Sequence, residues 1–228
     1  MGMKKSFFLF LVIALMLLSV KGALAQTPLA GLLIGWEAKT YVPPAYRGRA
    51  LPSAESEIVA TVDLIDRGRP ANLSFYPINW YVNSSPAGGG IGKTTFSFFA
   101  PSTLGKGSVR LRAEITSYPG GSITNTIEIP IVSPEAVIVA PHPLSRVPRS
   151  FRIEALPYFF NVAKLSELAF SWLVNGEAPA NFEDPAALAI ETNPDAASGS
   201  ELVTLLEIRN PRQARESALK AKTFVLGP

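Results

Sequence analysis

Cysteine is absent from the sequence, and histidine occurs once, as His142. No disulfide can staple this chain, no thiolate can attack a substrate or hold a metal, and one imidazole cannot build a typical zinc site. Long apolar runs are scarce too. One stands out, at residues 7–20, preceded by Lys4 and Lys5 and followed by Lys21, Gly22 and the small-x-small triplet Ala23-Leu24-Ala25. A basic start, a short apolar stretch and a small-residue exit site form the pattern of a secretory leader, and the stretch is shorter than the roughly 20 residues a bilayer span needs. The expectation is an exported chain, periplasmic, cell-surface or extracellular, with residues 1–25 as signal peptide. An uncleaved N-terminal anchor is the alternative, and would be the link to a membrane. No cysteine follows Ala25 to accept a lipid, and the closing Val225-Leu226-Gly227-Pro228 is not an apolar tail.

A field of one sign is missing as well. The formal charge of +3 comes from 21 basic and 18 acidic residues, and loss of Lys4, Lys5 and Lys21 with the leader leaves 18 against 18. A neutral mature chain lacks the electrostatic footprint of a nucleic-acid binder.

What the sequence does contain is a repeat. Ile78-Asn79-Trp80-Tyr81-Val82-Asn83 returns as Phe170-Ser171-Trp172-Leu173-Val174-Asn175, with both Trp and Asn displaced by 92 positions. Gly107-Ser108 returns as Gly199-Ser200, Glu114-Ile115 as Glu207-Ile208, and Ile131-Val132-Ser133-Pro134 as Val225-Leu226-Gly227-Pro228. So small a drift over some fifty residues is what duplication with minor loop changes produces. The expected units are residues 26–134 and 135–228.

Each unit reads as β-structure. Ile58, Ala60, Val62 and Leu64 alternate with polar residues, as do Val109, Leu111, Ala113 and Ile115, giving one buried and one wet face. Ile127, Ile129 and Ile131 supply the last strand of the first unit, and Pro130 puts that strand at a sheet edge. A parity switch between Leu73 and Ile78 predicts a bulge at Tyr76-Pro77. Residues 211–222 have helix-friendly composition, but the equivalent Gly-rich stretch of the first unit argues for a polar hairpin arm or at most one helical turn.

Short strands in units of about 95 residues are the pattern of an immunoglobulin-like sandwich. On the Trp-x-Val-Asn segments at residues 80–83 and 172–175, each followed by Gly and an alternating strand, the units resemble bacterial Ig-like and PKD-like domains of exported surface proteins. That resemblance implies two tandem antiparallel β-sandwiches, with Trp80, Trp172, Val82 and Val174 in their cores. It departs from the family in having no cysteine pair around the Trp, no tyrosine corner and no Gly-Asp-Gly turn.

Chemistry-bearing motifs are few. Ala87-Gly88-Gly89-Gly90-Ile91-Gly92-Lys93-Thr94 approaches a phosphate-binding loop, yet such a loop must open a helix whose amides hold the anion. Here an alternating, Pro-terminated stretch follows, so the segment is expected to be a flexible Gly-rich loop between strands. His142 lies between prolines with nothing to orient it as a base. Asp63 with Asp66, Glu55 with Glu57, and Glu183 with Asp184 lack the spacing of a calcium loop and read as solvated charges. Aromatics remain: Tyr41, Tyr46, Tyr76 and Tyr81 in the first unit and Tyr158-Phe159-Phe160 in the second, of which Tyr41, Tyr46 and Tyr158 are candidate binding residues, since aromatic faces stack on sugars and anchor protein interfaces. The expected function is that of a non-enzymatic structural or adhesive module, without metal or cofactor, contacting a protein or an envelope polymer. A carbohydrate-binding or accessory module is the alternative.

Overall fold

The structure, a computed structural model, describes residues 30–102, 107–179 and 184–227. The leader and Glu183 lie outside them. The described chain is almost entirely antiparallel β-sheet, with the strand arrangement of the immunoglobulin-like class. Eight strands precede residue 132: β1 (Ala30–Ala38), β2 (Glu57–Asp66), β3 (Arg69–Pro70), β4 (Pro77–Val82), β5 (Ser85–Ile91), β6 (Thr95–Phe99), β7 (Gly107–Tyr118) and β8 (Gly121–Ile131). Strand β2 pairs with β1 on one side and with β3 and β6 on the other, while β5, β4, β7 and β8 form the facing sheet in that order. Strand β8 is at the edge, where the missing amide of Pro130 costs least.

Seven strands follow: β9 (Glu135–Val139), β10 (Arg146–Val147), β11 (Ser150–Tyr158), β12 (Ala169–Val174), β13 (Ala187–Glu191), β14 (Glu201–Arg209) and β15 (Ser217–Leu226). One sheet runs β13, β11, β9, and the other β10, β15, β14, β12. Residues 217–226 are thus a hairpin arm, with no helix among them. The alternation read from the sequence is what faces inward, and the buried side chains separate into two clusters, one between each pair of sheets.

The repeated tryptophan motif does the same work in both clusters. Trp80 and Trp172 are 1% and 2% exposed. Each indole Nε1 donates to a backbone carbonyl thirteen residues on, Lys93 O or Pro185 O, at 3.1 Å. Trp80 also stacks on Phe96, with ring centroids 5.4 Å apart. Val82 and Val174 lie at the margins of these clusters, half-buried and packed against them. The motif's asparagines serve the turns that follow β4 and β12. Asn83 and Asn175 adopt left-handed φ of 49° and 51°, which short polar side chains tolerate, and open two-residue turns. Each Oδ1 then accepts from the strand entering alongside, Arg110 N at 3.0 Å and Val203 N at 2.9 Å.

Two local expectations change. Residues 74–76 form a turn ahead of β4, so the parity switch after Leu73 marks the end of a loop, and the register shift falls instead between Trp80 and Tyr81 on the β5 side. The glycine run is not a loop between strands. Gly88, Gly89 and Gly90 sit inside β5, paired with Trp80, Asn79 and Ile78. The run leads through a turn into β6 and caps no helix. Glycine carries no side chain to show alternation, so this strand was silent in the sequence. Gly89 has φ +151°, and a Cβ there would run into the Ile78 carbonyl oxygen. Gly89→Ala is therefore expected to cost about 1–3 kcal/mol and to loosen β5 from β4. Urea denaturation with hydrogen exchange of the β5 amides would measure both.

Candidate functional site at the seam between the two cores

The chain between β1 and β2 leaves the first pair of sheets and crosses to the second. Pro43, Pro44 and Pro52 fix φ along this strap and take the place of regular pairing. At its start, Tyr41 N donates to Phe160 O and Tyr41 O accepts from Phe159 N, both at 2.7 Å, an antiparallel bridge between the halves of the chain. Phe159 carries φ +63°, an uncommon conformation for a bulky residue, held by the burial of Phe159 and Phe160. The Tyr41 side chain packs against the second cluster. Tyr46 stands edge-on to Tyr158 at 5.4 Å and to Phe159 at 6.1 Å, the favoured arrangement of aromatic pairs.

At the far end of the strap lies a buried polar knot centred on Glu216, which is 6% exposed. Its Oε1 accepts from Asn161 N at 2.7 Å and lies 3.4 Å from the Ser53 hydroxyl, while Oε2 accepts from Asn210 Nδ2 at 2.6 Å. Asn161 Nδ2 donates back to Ala54 O at 2.8 Å and to Gln213 Oε1 at 3.1 Å, and Gln213 Nε2 donates to Glu55 Oε2 at 2.6 Å. Among the described residues no buried side-chain nitrogen or oxygen lacks a partner. A satisfied network of this kind fixes one geometry, because any slippage strands several polar groups without water.

Burial pushes the Glu216 carboxyl above its usual range, and the nearby Glu55 charge adds to this, against the opposing pull of Asn210, Asn161 and Ser53. The folded protein therefore holds this proton more tightly than the unfolded chain does. The contribution to stability is complete below the ordinary glutamate range and is lost as pH rises through the raised value. Thermal melts of the native protein and of Glu216→Gln between acid and neutral pH should diverge accordingly, the native protein losing stability relative to the variant as pH rises.

Two depressions flank the seam. A cleft of about 580 Å³ is lined by Lys39, Thr40, Tyr41, Asn161, Glu167 and Arg212 among others, with Arg212 paired to Glu167 at 2.8 Å. Beside Glu216, between Ser53, Glu55 and Gln213, is a void of about 30 Å³, room for a water molecule.

The structure brings Tyr41, Tyr46 and Tyr158 together at this seam, and sends the other tyrosines elsewhere. Tyr76 packs on Tyr118 at 5.0 Å, and Tyr118 donates to Asp66 at 3.0 Å. Tyr81 lies on the outer sheet face, donates to Glu114 at 3.0 Å and is covered by the Arg112 guanidinium at 3.8 Å from its centroid. The four tyrosines of the first unit thus do not form one cluster, because loop and strand positions carry them to different faces. His142 is half-buried and stands edge-on to Phe151 at 6.0 Å. Among the described residues no group of three His, Asp or Glu side chains converges to hold a metal ion, and no helix is long and apolar enough to cross a membrane.

No protein-family model matches the sequence, and no curated protein matches it either. Solved structures resemble it loosely. Three N-terminal domains of the highly immunogenic outer capsid protein Hoc of bacteriophage RB49 align over 86% of this chain and 59% of that one, at 10% identity and a TM-score of 0.44. The chain spans less than two thirds of that fragment. Fibronectin(III)-like modules of Clostridium thermocellum CbhA align over 86% and 93%, at 13% identity and TM-score 0.29. SGBP-B of the Bacteroides ovatus mixed-linkage glucan utilization locus, solved in complex with a mixed-linkage heptasaccharide, aligns over 84% and 47%, at 9% identity and TM-score 0.25.

The sequence singled out Tyr41, Tyr46 and Tyr158 by type as candidate binding residues, without bringing them together, and it held no sign of the polar knot. Asn161 stands among Phe159, Phe160 and Val162 while Glu216 lies in the polar stretch 209–217, and Ser53 lies 163 positions from Glu216. No local pattern connects them.

Proposed function

We propose that the protein is an exported, non-enzymatic structural or adhesive module, built of two tandem Ig-like units over residues 26–134 and 135–228, that holds its contacts at a fixed spacing in the envelope or at the cell surface. The seam supports this reading. A backbone bridge, an aromatic packing contact and a fully satisfied buried network join the two pairs of sheets, an investment that a flexible string of binding modules would not need. The leader-like segment supports export, and a protein or envelope polymer is the expected partner. Small-angle scattering of the native protein should give the dimensions of one rigid body. Tyr41→Ala combined with Asn161→Ala should broaden the distance distribution. Unchanged scattering from that variant would remove the seam as the reason for rigidity and the reading with it. Export is checked by fractionating the host cells and sequencing the mature N-terminus, expected at Gln26.

A second reading, a carbohydrate-binding accessory module, is supported by the cleft beside the seam. Tyr41 offers an aromatic edge there, and Lys39 and Arg212, each with several N–H groups, offer hydrogen-bond donors of the kind that orient a sugar. A glycan array separates the two: a spacer gives no signal, and a lectin-like cleft gives one that Arg212→Ala abolishes.

A further inference from the structure

The two ends of the molecule that face away from the seam differ in charge and in shape. Strands β2 and β7 run from the seam outward to Asp66 and Tyr118, so the first outer pole is built by residues 66–76, 91–93 and 118–121. A tight turn with φ +49° at Arg67 and +77° at Gly68 exposes Arg67 and Arg69. Neither forms an ion pair among the described residues. Asp66, the acid beside them, is engaged by the Tyr118 hydroxyl. Next to this turn the loop before β4 is braced by Asn72 Oδ1, which accepts from Ser74 N at 3.0 Å, and it presents Phe75 at 78% exposure. Lys93 follows Gly92, which packs close against Ser74. The first pole thus presents the exposed Phe75 ring on one loop and three exposed cations, Arg67, Arg69 and Lys93, on the other turns of the same end.

The second outer pole is its counterpart. Strands β14 and β15 run between the seam and this end, and the two sheets gape there around an opening of about 570 Å³. Val174, Ile190, Leu202 and Leu226 give it an apolar lining. Glu177, Glu191 and Glu201 stand on its rim, exposed and outside any ion pair among the described residues. Arg149 donates to Asn193 O at 3.0 Å, and Arg146 also lies at this end.

We infer that these poles bind one another, the Phe75 pole of one molecule entering the acidic opening of the next, so that the protein associates head to tail with copies of itself. A buried aromatic anchor inside a ring of opposite charges is the composition of an interface hot spot with a steering rim. Because the two surfaces differ and sit at opposite ends, each contact leaves one pole free at either terminus of the assembly, and the association is open and linear rather than closed. The inference rests on the reading of the protein as a rigid structural module and supplies its partner.

Sedimentation velocity on the purified mature protein tests it, from micromolar up to about 0.5 mM, where even a contact with Kd near 1 mM populates dimers. Growth of the sedimentation coefficient with concentration is expected, reduced by added salt. Phe75→Asp disables one pole, and Glu191→Arg with Glu201→Arg disables the other. Both alter exposed side chains, and unchanged circular dichroism confirms the fold. Each variant alone should remain monomeric, and an equal mixture should stop at one-to-one dimers. A native protein that stays monomeric throughout, variants that still assemble alone, or a mixture that stays monomeric would each overturn the inference. The scattering experiment on the seam is read on dilute monomer, so its outcome stands apart from this one.

Discussion

Trp80→Ala is expected to destabilise the first pair of sheets by about 3–5 kcal/mol, and Trp172→Ala the second by as much. Each indole is enclosed almost completely, and each replacement leaves both a void and a carbonyl, Lys93 O or Pro185 O, without its donor. Trp80→Ala also deprives Phe96 of its stacking partner. Because the buried clusters are separate, the loss should concentrate on the mutated side. Native-state hydrogen exchange reads this directly: amides of β4 and β7 lose protection in Trp80→Ala while those of β12 and β14 keep most of theirs, and the reverse holds for Trp172→Ala. Simultaneous collapse of both sides in either variant would contradict the division into residues 26–134 and 135–228.

The second large effect belongs to the seam. Glu216→Ala removes the acceptor for Asn161 N and Asn210 Nδ2 and leaves the Ser53 hydroxyl facing a hole. Stranding buried donors costs about 1–3 kcal/mol each, so a total near 3 kcal/mol is expected once water enters the enlarged void. The cost falls on the junction more than on either core. Protease cleavage within residues 39–56 should therefore accelerate well before the tryptophan environments change. A variant that melts as one cooperative unit with no earlier nicking of the strap would refute this.

The legible part of the fold was the part written locally. Alternation at Ile58 to Leu64 and at Val109 to Ile115 encodes which face is buried, and it does so within a handful of residues. The tryptophan motif was legible because two cores enclose the same large side chain, and the same asparagine-led turn follows each. Where the sequence misled, side chains were absent or polar. Gly88 to Gly90 carry nothing that can alternate, although β5 needs them for close approach to β4. The knot around Glu216 gathers Ser53, Asn161 and Asn210 from loops, where no alternation marks a polar side chain as buried. Tertiary pairing over more than a hundred positions leaves no periodic trace. The aromatic residues Tyr41, Tyr46 and Tyr158 could be singled out by type, but the sequence could not say that they meet.

The first strand starts at one outer end and the last strand finishes at the other, with Ala30 opposite Asp66 and Leu226 beside Val147. Tension drawn through these points would slide β1 lengthwise along β2, and β15 along β14 and β10. Nine residue pairs of the β1–β2 ladder would then carry the load together instead of parting one after another. Such a shear geometry resists extension through a slow unfolding rate rather than through equilibrium stability.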